Sequence, residues 1–325
     1  MLQKFSYKKA SSVQDAAALS AAPGAHVLAG GTDLLGCLRD GVFAAQTVVS
    51  LSGIAELKGI APRTGGGLRI GALTTLAEIV ANKQVVDSYR VLAEAAASVA
   101  SPQLRNQGTI GGNICQRPRC WYFRGDFHCL RKGGDICFAE TGENQFHAIL
   151  GWDRCYAVHP SDTAAALVAL GARVTIASPK GRRTIPLESF FILPKVSVVK
   201  ESVLLPGEVV TEILLDTPPH GLRSTYRKVR ERGAFDFATA GAAIALTVAD
   251  GKVATARIAL SGVAAAPWRS PEAEKALTGK PLDNVTVEAA AQAALKDAVP
   301  LEKNGYKIAM VRGILEETLL RLATA

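Results

Sequence analysis

The six cysteines of this chain, Cys37, Cys115, Cys120, Cys129, Cys137 and Cys155, are unevenly spread: five fall within 41 residues and none follows position 155. The spacing Cys120-x8-Cys129-x7-Cys137-x17-Cys155 brings four thiols onto one excursion of the chain. A chain of 325 residues can build a core without disulfide staples, so the crowding points to a metal site. Four thiolates hold either a tetrahedral zinc or a four-iron cluster. Zinc sites usually display short Cys-x2–4-Cys knuckles, which are absent here, and the long spacings suit a loop wrapped around a bulkier cubane. Zinc stays open as the alternative. Arg119, Arg124, Arg131 and Lys132 are expected to offset the negative charge of a thiolate-ligated cluster and raise its potential, with Trp121, Tyr122 and Phe123 shielding it from water. His128 and His147 are further donors, although four thiolates already complete a cubane. Cys37 reads as apolar core and Cys115 is left outside the ligand set.

Two glycine turns form the second constellation. Residues 28–34 read Leu28-Ala-Gly-Gly-Thr-Asp-Leu34, and residues 109–113 read Thr109-Ile-Gly-Gly-Asn113. Paired glycines let backbone N–H groups converge with no Cβ in the way, and a following helix N-terminus adds to the attraction for phosphate. Thr32 and Thr109 can each donate a hydroxyl to a phosphate oxygen. Two such cradles suit a pyrophosphate, although Gly-Gly pairs also make ordinary turns. Neither the Gly-x-Gly-x-x-Gly fingerprint nor a Walker sequence is present.

The elements that must position these groups follow from periodicity and punctuation. Val13–Ala22 has helical spacing, 26–35 reads as strand, glycine turn and helix, and Val48–Leu51 as a strand. Residues 68–73 form a strand leading to Thr74-Thr75, an N-cap for a helix over Leu76–Ala81. An Ala-rich helix over 90–100 precedes the second glycine turn. Residues 114–155 break the rhythm, and a structureless loop this long is uncommon unless functional or stapled. Order resumes with a helix at Ala164–Leu170 and a strand at Arg173–Ala177. The Gly181–Pro219 stretch, with five prolines, reads as a link between domains. Strands at 224–229, 243–248 and 256–263, then helices at 286–297 and 304–323, indicate an α+β C-terminal part.

The net charge of +8 and pI near 9.2 raise the question of nucleic acid. The basic residues gather instead at Arg117–Lys132 and Arg223–Arg232, beside the motifs, which suits an anionic cofactor and predicts no nucleic-acid partner. No apolar run is long enough to span a bilayer, and the N-terminal residues read as a first strand rather than a signal peptide. The expectation is a cytoplasmic protein, or one exported with a signal-bearing partner.

At these residues the chain resembles the medium, FAD-binding subunit of the xanthine dehydrogenase / carbon monoxide dehydrogenase family of molybdenum hydroxylases. The matching stretches are Leu28–Leu35, Gln103–Asn113, His159-Pro-Ser-Asp162 and Tyr226-Arg-Lys-Val-Arg230. The cysteine-rich insertion is similar to that of a subgroup, including aldehyde oxidoreductases and 4-hydroxybenzoyl-CoA reductases, whose flavin subunits carry an extra [4Fe-4S] cluster. The run Arg119–Phe123 and the placing of Cys155 shortly before His159 favour the aldehyde oxidoreductases. Xanthine or N-heterocycle dehydrogenases are further alternatives within the family. Outside it stand a self-contained flavin oxidase and a zinc-stabilised basic binding module.

The resemblance implies an α+β chain: a vanillyl-alcohol-oxidase-type FAD domain over 1–218, with α/β subdomains at about 1–58 and 59–180 and the cluster insertion at about 114–156. A C-terminal α+β domain would follow over 219–325. It implies that His26, Val27, Leu28, Ala29, Gly30, Gly31, Thr32, Asp33 and Leu34 hold the FAD pyrophosphate, joined by Thr109, Gly112 and Asn113. Asp162 would bind a ribityl or ribose hydroxyl, Leu205 would pack on the isoalloxazine, and Lys228 would stabilise negative charge on the reduced ring. The bland readings are a helix N-cap for Asp162 and a solvated strand position for Lys228. The implied cluster ligands are Cys120, Cys129, Cys137 and Cys155. The implied partners are a large molybdopterin subunit that performs the substrate chemistry, a small subunit with two [2Fe-2S] clusters, and an external electron acceptor.

Overall fold

Three sheets carry the chain, described here from a computed structural model over residues 2–324. Strands β1 (Ser6–Lys9), β2 (Ala25–Leu28) and β3 (Thr47–Ser50) form a small parallel sheet in the order β1-β3-β2. The helix Val13–Ser20 makes the crossover between β1 and β2. Ser12 caps it by accepting from Asp15 N, and its small Ala16 and Ala17 are fully buried.

A five-stranded antiparallel sheet follows, built from β4 (Ile60–Pro62), β5 (Leu68–Gly71), β6 (Arg173–Ser178), β7 (Gly181–Pro186) and β8 (Val209–Leu215) in the order β4-β5-β8-β6-β7. The Gly181–Pro219 stretch is therefore not a linker: it supplies an edge strand and a central strand of this sheet. Its prolines stand at or beyond strand ends, where no ladder N–H is needed. The helix Leu76–Ala81 starts where expected, on a capping box between Thr75 and Glu78.

The last sheet joins β9 (Arg223–Val229), β10 (Ala240–Ala249), β11 (Lys252–Ser261) and the short β12 (Trp268–Arg269), all antiparallel. β10 shows how it is sandwiched. Ala243 and Ala245 point to the core shared with the helices Arg90–Ser98 and Asp162–Ala169, while Ile244 and Leu246 point to the core under the C-terminal helices. Alanine on one face lets the Ala-rich helices approach closely, and every residue of Asp162–Ala169 is buried. The other face is covered by helices Pro271–Leu277, Asn284–Ala294 and Tyr306–Ala323. The first of these is not among the helices expected from periodicity.

The cysteine-bearing segment has only two short helical turns, Trp121–Arg124 and Leu130–Lys132. It is stapled to the C-terminal part rather than free. Asn304 donates to the carbonyls of His147 and Ala148, Lys303 N donates to Asn144 Oδ1, and Ile149 and Leu150 donate to Val263 O. No helix among the described residues is long and apolar enough to cross a membrane.

Candidate cofactor sites

β2 ends at Leu28, and the chain turns through Gly30 and Gly31 into the helix Leu34–Arg39. Gly31 has φ +76°, a left-handed conformation that favours glycine. A Cβ on Gly30 would stand 1.8 Å from the carbonyl oxygen of Gln107, so glycine alone lets this turn lie against the second glycine segment. That second segment is not a free turn but a short helix, Ile110–Ile114, capped by Thr109 Oγ1 accepting from Gly112 N at 3.2 Å. Gly111 is there for packing: its Cβ would press on Ala72 at 2.8 Å.

Between the two segments lies a cavity of about 520 Å³, within the usual size range of cofactor sites. His26, Val27, Ala29, Gly30, Gly31, Thr32, Asp33, Leu34, Thr109, Gly112 and Asn113 all line it. Leu28 does not; it packs with Leu38 and Val48. Among the described residues, the backbone N–H groups of Gly31, Thr32, Asp33 and Leu34 find no protein acceptor. Four consecutive unpaired donors at a cavity wall match the oxygens of a pyrophosphate. Cys37 and Cys115 also line this cavity, and burial pushes their thiols up to about 11 and about 12, so both stay neutral.

The His159-Pro-Ser-Asp162 motif reaches the cavity indirectly. Asn113 Oδ1 accepts from Ser161 Oγ at 2.5 Å and from Thr163 Oγ1 at 2.6 Å, which fixes its amide and leaves Nδ2 without a protein partner among the described residues. Ser161, not Asp162, caps the helix Asp162–Ala169. Asp162 instead accepts from Tyr226 Oη at 2.6 Å and from Lys228 Nζ at 2.7 Å in a buried pair. Burial, followed by this carboxylate, pushes the Tyr226 phenol well above its ordinary value. Asp162 and Lys228 are therefore neither exposed nor on the cavity wall; they lie behind it. Lys228 Nζ and Arg230 Nη1 both donate to Ser98 O, and the next residues, Val99 and Ala100, line the cavity. Leu205 is 54% exposed, and its neighbour Leu204 takes the place on the wall.

Residues that sequence reasoning misses complete the wall, among them Phe235 and Phe237. Ala100 and Phe235 both have positive φ, 43° and 73°, and Phe235 N donates to Ala100 O. No local sequence signal marks this contact.

The second site is a small cavity on which Cys120, Cys129, Cys137 and Cys155 all converge. Phe123, Leu130 and Phe138 make it apolar on the remaining sides, with Arg131 as its one charged side chain. Burial pushes the Cys120 thiol up to about 12 and raises Cys137 as well. A thiol raised in this way ionises only beside a compensating cation. Among the described residues no group of three or more His, Cys, Asp or Glu side chains is arranged to hold a metal ion. The four cysteines share the lining of one cavity. His128 is not at this cavity, whereas His147 Nε2 lies 3.2 Å from Cys120 Sγ.

A charged partition separates the two cavities. Asp33, at the end of the first glycine turn, accepts from Arg124 at 2.7 Å and from the backbone N–H of Arg117 at 2.9 Å, and forms an ion pair with Arg119 at 2.8 Å. The Arg117 guanidinium lies over both Phe43, on the nucleotide cavity, and Phe123, on the cysteine cavity, at 5.2 and 5.1 Å. It shares Glu201 Oε1 with Arg131. Arg117, Arg119, Arg124 and Arg131 are thus anchored within the fold by two carboxylates, Asp33 and Glu201.

Residues 3–217 match the family described as FAD binding domain in molybdopterin dehydrogenase, and residues 224–322 match the CO dehydrogenase flavoprotein C-terminal domain. The aldehyde oxidoreductase FAD-binding subunit of Escherichia coli K12 is 36% identical, with 98% of each chain covered. The carbon monoxide dehydrogenase medium chain of Hydrogenophaga pseudoflava is 30% identical over 97% of this chain and 96% of its own length. Among solved structures, reconstituted CO dehydrogenase from Oligotropha carboxidovorans superposes with a TM-score of 0.80 at 25% identity, covering 100% of this chain and 99% of that one.

Proposed function

The chain belongs to the FAD-binding subunits of the molybdenum hydroxylases, and from that premise we propose that it is the electron-exit subunit of an aldehyde oxidoreductase, holding FAD and a [4Fe-4S] cluster side by side. The cluster reading is carried by one observation: Cys120, Cys129, Cys137 and Cys155, spread over 36 residues, meet at a single apolar cavity. The identity with the E. coli subunit, extending over essentially the whole chain, supports the aldehyde class.

The unpaired N–H groups of Gly31–Leu34 would take the FAD pyrophosphate, with Thr109 and Gly112 on the opposite wall and Asn113 Nδ2 as an oriented donor. The Asp162–Lys228 pair would support the wall through Ser98 rather than touch the ring as a free charge. Flavin, when bound, accepts electrons singly and releases them in pairs, which single-electron clusters cannot do. The chain's own residues bury Cys129 and Cys155 and hold the two cavities together through Arg117. Substrate oxidation would belong to a molybdopterin partner, with a small two-cluster iron–sulfur subunit delivering the electrons. The domain division 1–218 and 219–325 is part of the same proposal.

Anaerobic purification of the tagged chain from its host tests this reading. It is expected to bring down one larger and one smaller subunit, with an absorbance spectrum of flavin plus a broad iron–sulfur band and aldehyde-dependent bleaching. A colourless, zinc-containing chain without partners would contradict it.

A further inference from the structure

Among the described residues only two side chains bring a hydrogen-bonding group to the sulfur of the four cysteines. His147 Nε2 stands 3.2 Å from Cys120 Sγ, and Arg131 Nη2 stands 3.7 Å from Cys155 Sγ. Both are buried, 5% and 6% exposed. The other cations expected at the cluster are taken elsewhere: Arg119 and Arg124 by Asp33, and Lys132 by the carbonyl of Gly125.

We propose that His147 and Arg131 set the reduction potential of the cluster held by these cysteines, each donating an N–H to a ligand sulfur. The inference rests on the cluster reading above. Adding one electron to a thiolate-ligated iron–sulfur unit adds one negative charge at a buried place. A fixed donor or cation beside the sulfur stabilises the reduced form more than the oxidised form, and so raises the potential.

The geometry suits both roles. A ligating thiolate can only accept, so the imidazole must carry its proton on Nε2. His147 Nδ1 is buried without a partner, a tolerable position for a lone pair and a costly one for an N–H. Its backbone is clamped: Asn304 Nδ2 donates to His147 O, and Lys307 Nζ donates to the carbonyl of Phe146. Arg131 is aimed by Glu201, which accepts from Nη1 at 2.8 Å and leaves Nη2 for sulfur. Glu201 also carries Arg117, so the Arg131–Glu201–Arg117 group keeps a net positive charge near Cys155.

The test is an EPR-monitored redox titration of the whole complex carrying His147→Leu, His147→Gln, Arg131→Met or Arg131→Lys. Iron, sulfide and flavin are measured in each. His147→Leu and Arg131→Met are expected to retain the cluster and favour its oxidised form by about tenfold, ~59 mV for a one-electron couple. His147→Gln keeps an N–H, Arg131→Lys keeps the charge, and both should lie closer to wild type. Arg131→Met also strips a partner from Glu201 and can fail to fold; the His147 pair then decides alone. An unchanged midpoint in His147→Leu with full iron content would overturn the proposal, as would loss of iron in both His147 variants, which would make His147 a ligand. Absence from the wild-type complex of any iron and sulfide beyond those of the small subunit's two [2Fe-2S] clusters would instead sink the cluster reading itself, and this inference with it.

Discussion

Asp33 Oδ1 accepts from Arg124 Nη2 at 2.7 Å across 91 residues of sequence, tying the end of the first glycine turn to the loop that carries the cysteines. Arg119 meets the same oxygen at 2.8 Å, and both partners are mostly buried. The two cavities are therefore one mechanical unit, and disturbing this carboxylate should be felt at both.

Asp33→Asn keeps the shape and removes the charge. It leaves two guanidinium groups without their carboxylate, at a cost of about 3 kcal/mol. The expected outcome is a fall in melting temperature of several degrees together with substoichiometric flavin. Differential scanning calorimetry and flavin release on denaturation check it, and an unchanged melt would show the pairs to be dispensable.

Gly30→Ala acts on the nucleotide side alone. Its methyl group would be driven into the Gln107 carbonyl, forcing the two glycine segments apart at about 1–3 kcal/mol. Flavin occupancy should drop sharply while iron content holds. Absorbance at the flavin band set against iron per chain makes the comparison, and equal loss of both would argue against separate sites.

Lys307 is fully buried, donates to the carbonyls of Phe146 and Gly262, and has its pKa lowered by burial from 10.5 to about 7. The unfolded chain therefore holds this proton more tightly than the folded one. Below about pH 7 the lysine is charged in both states and its burial penalty is fully present. As pH rises from about 7 towards 10.5 the penalty fades, so stability from this group increases by up to ~1.4 kcal/mol per pH unit. Urea midpoints at pH 7 and 9 should rise for wild type relative to Lys307→Met, and parallel midpoints would refute the assignment.

The strongest signals in the sequence are local ones. The capping box at Thr75 and Glu78 marks the start of its helix, and the glycine pair at Gly30 and Gly31 marks a cradle. The cysteine spacing selects the four side chains that reach one cavity and sets aside Cys37 and Cys115, which line the other. Other local signals mislead. β7 is an exposed edge strand rich in Arg, so it lacks the apolar alternation that marks a buried strand, and the neighbouring prolines make the whole stretch resemble a linker. Helix Pro271–Leu277 opens with Pro at its first turn after Ser270, a start signal that apolar periodicity alone passes over.

The remaining differences are long-range. Family resemblance assigns Asp162 and Lys228 to the flavin one by one, whereas their pairing across 66 residues is fixed by the packing of β9 on the helix layer. Leu205 and Leu204 differ only in which way the backbone turns each side chain. The aim of Arg131 at Cys155 depends on Glu201, 70 residues away. No periodicity encodes such contacts.

The most direct measurement is iron, acid-labile sulfide and FAD in the anaerobically purified complexes of wild type, Cys129→Ala and Cys115→Ala, after subtracting the about four iron and four sulfide of the small subunit's two [2Fe-2S] clusters. The account predicts about four iron and four sulfide with one FAD in wild type and in Cys115→Ala, and flavin without iron in Cys129→Ala. Iron content that survives loss of Cys129, or a wild-type chain that holds flavin but neither iron nor sulfide, would contradict it.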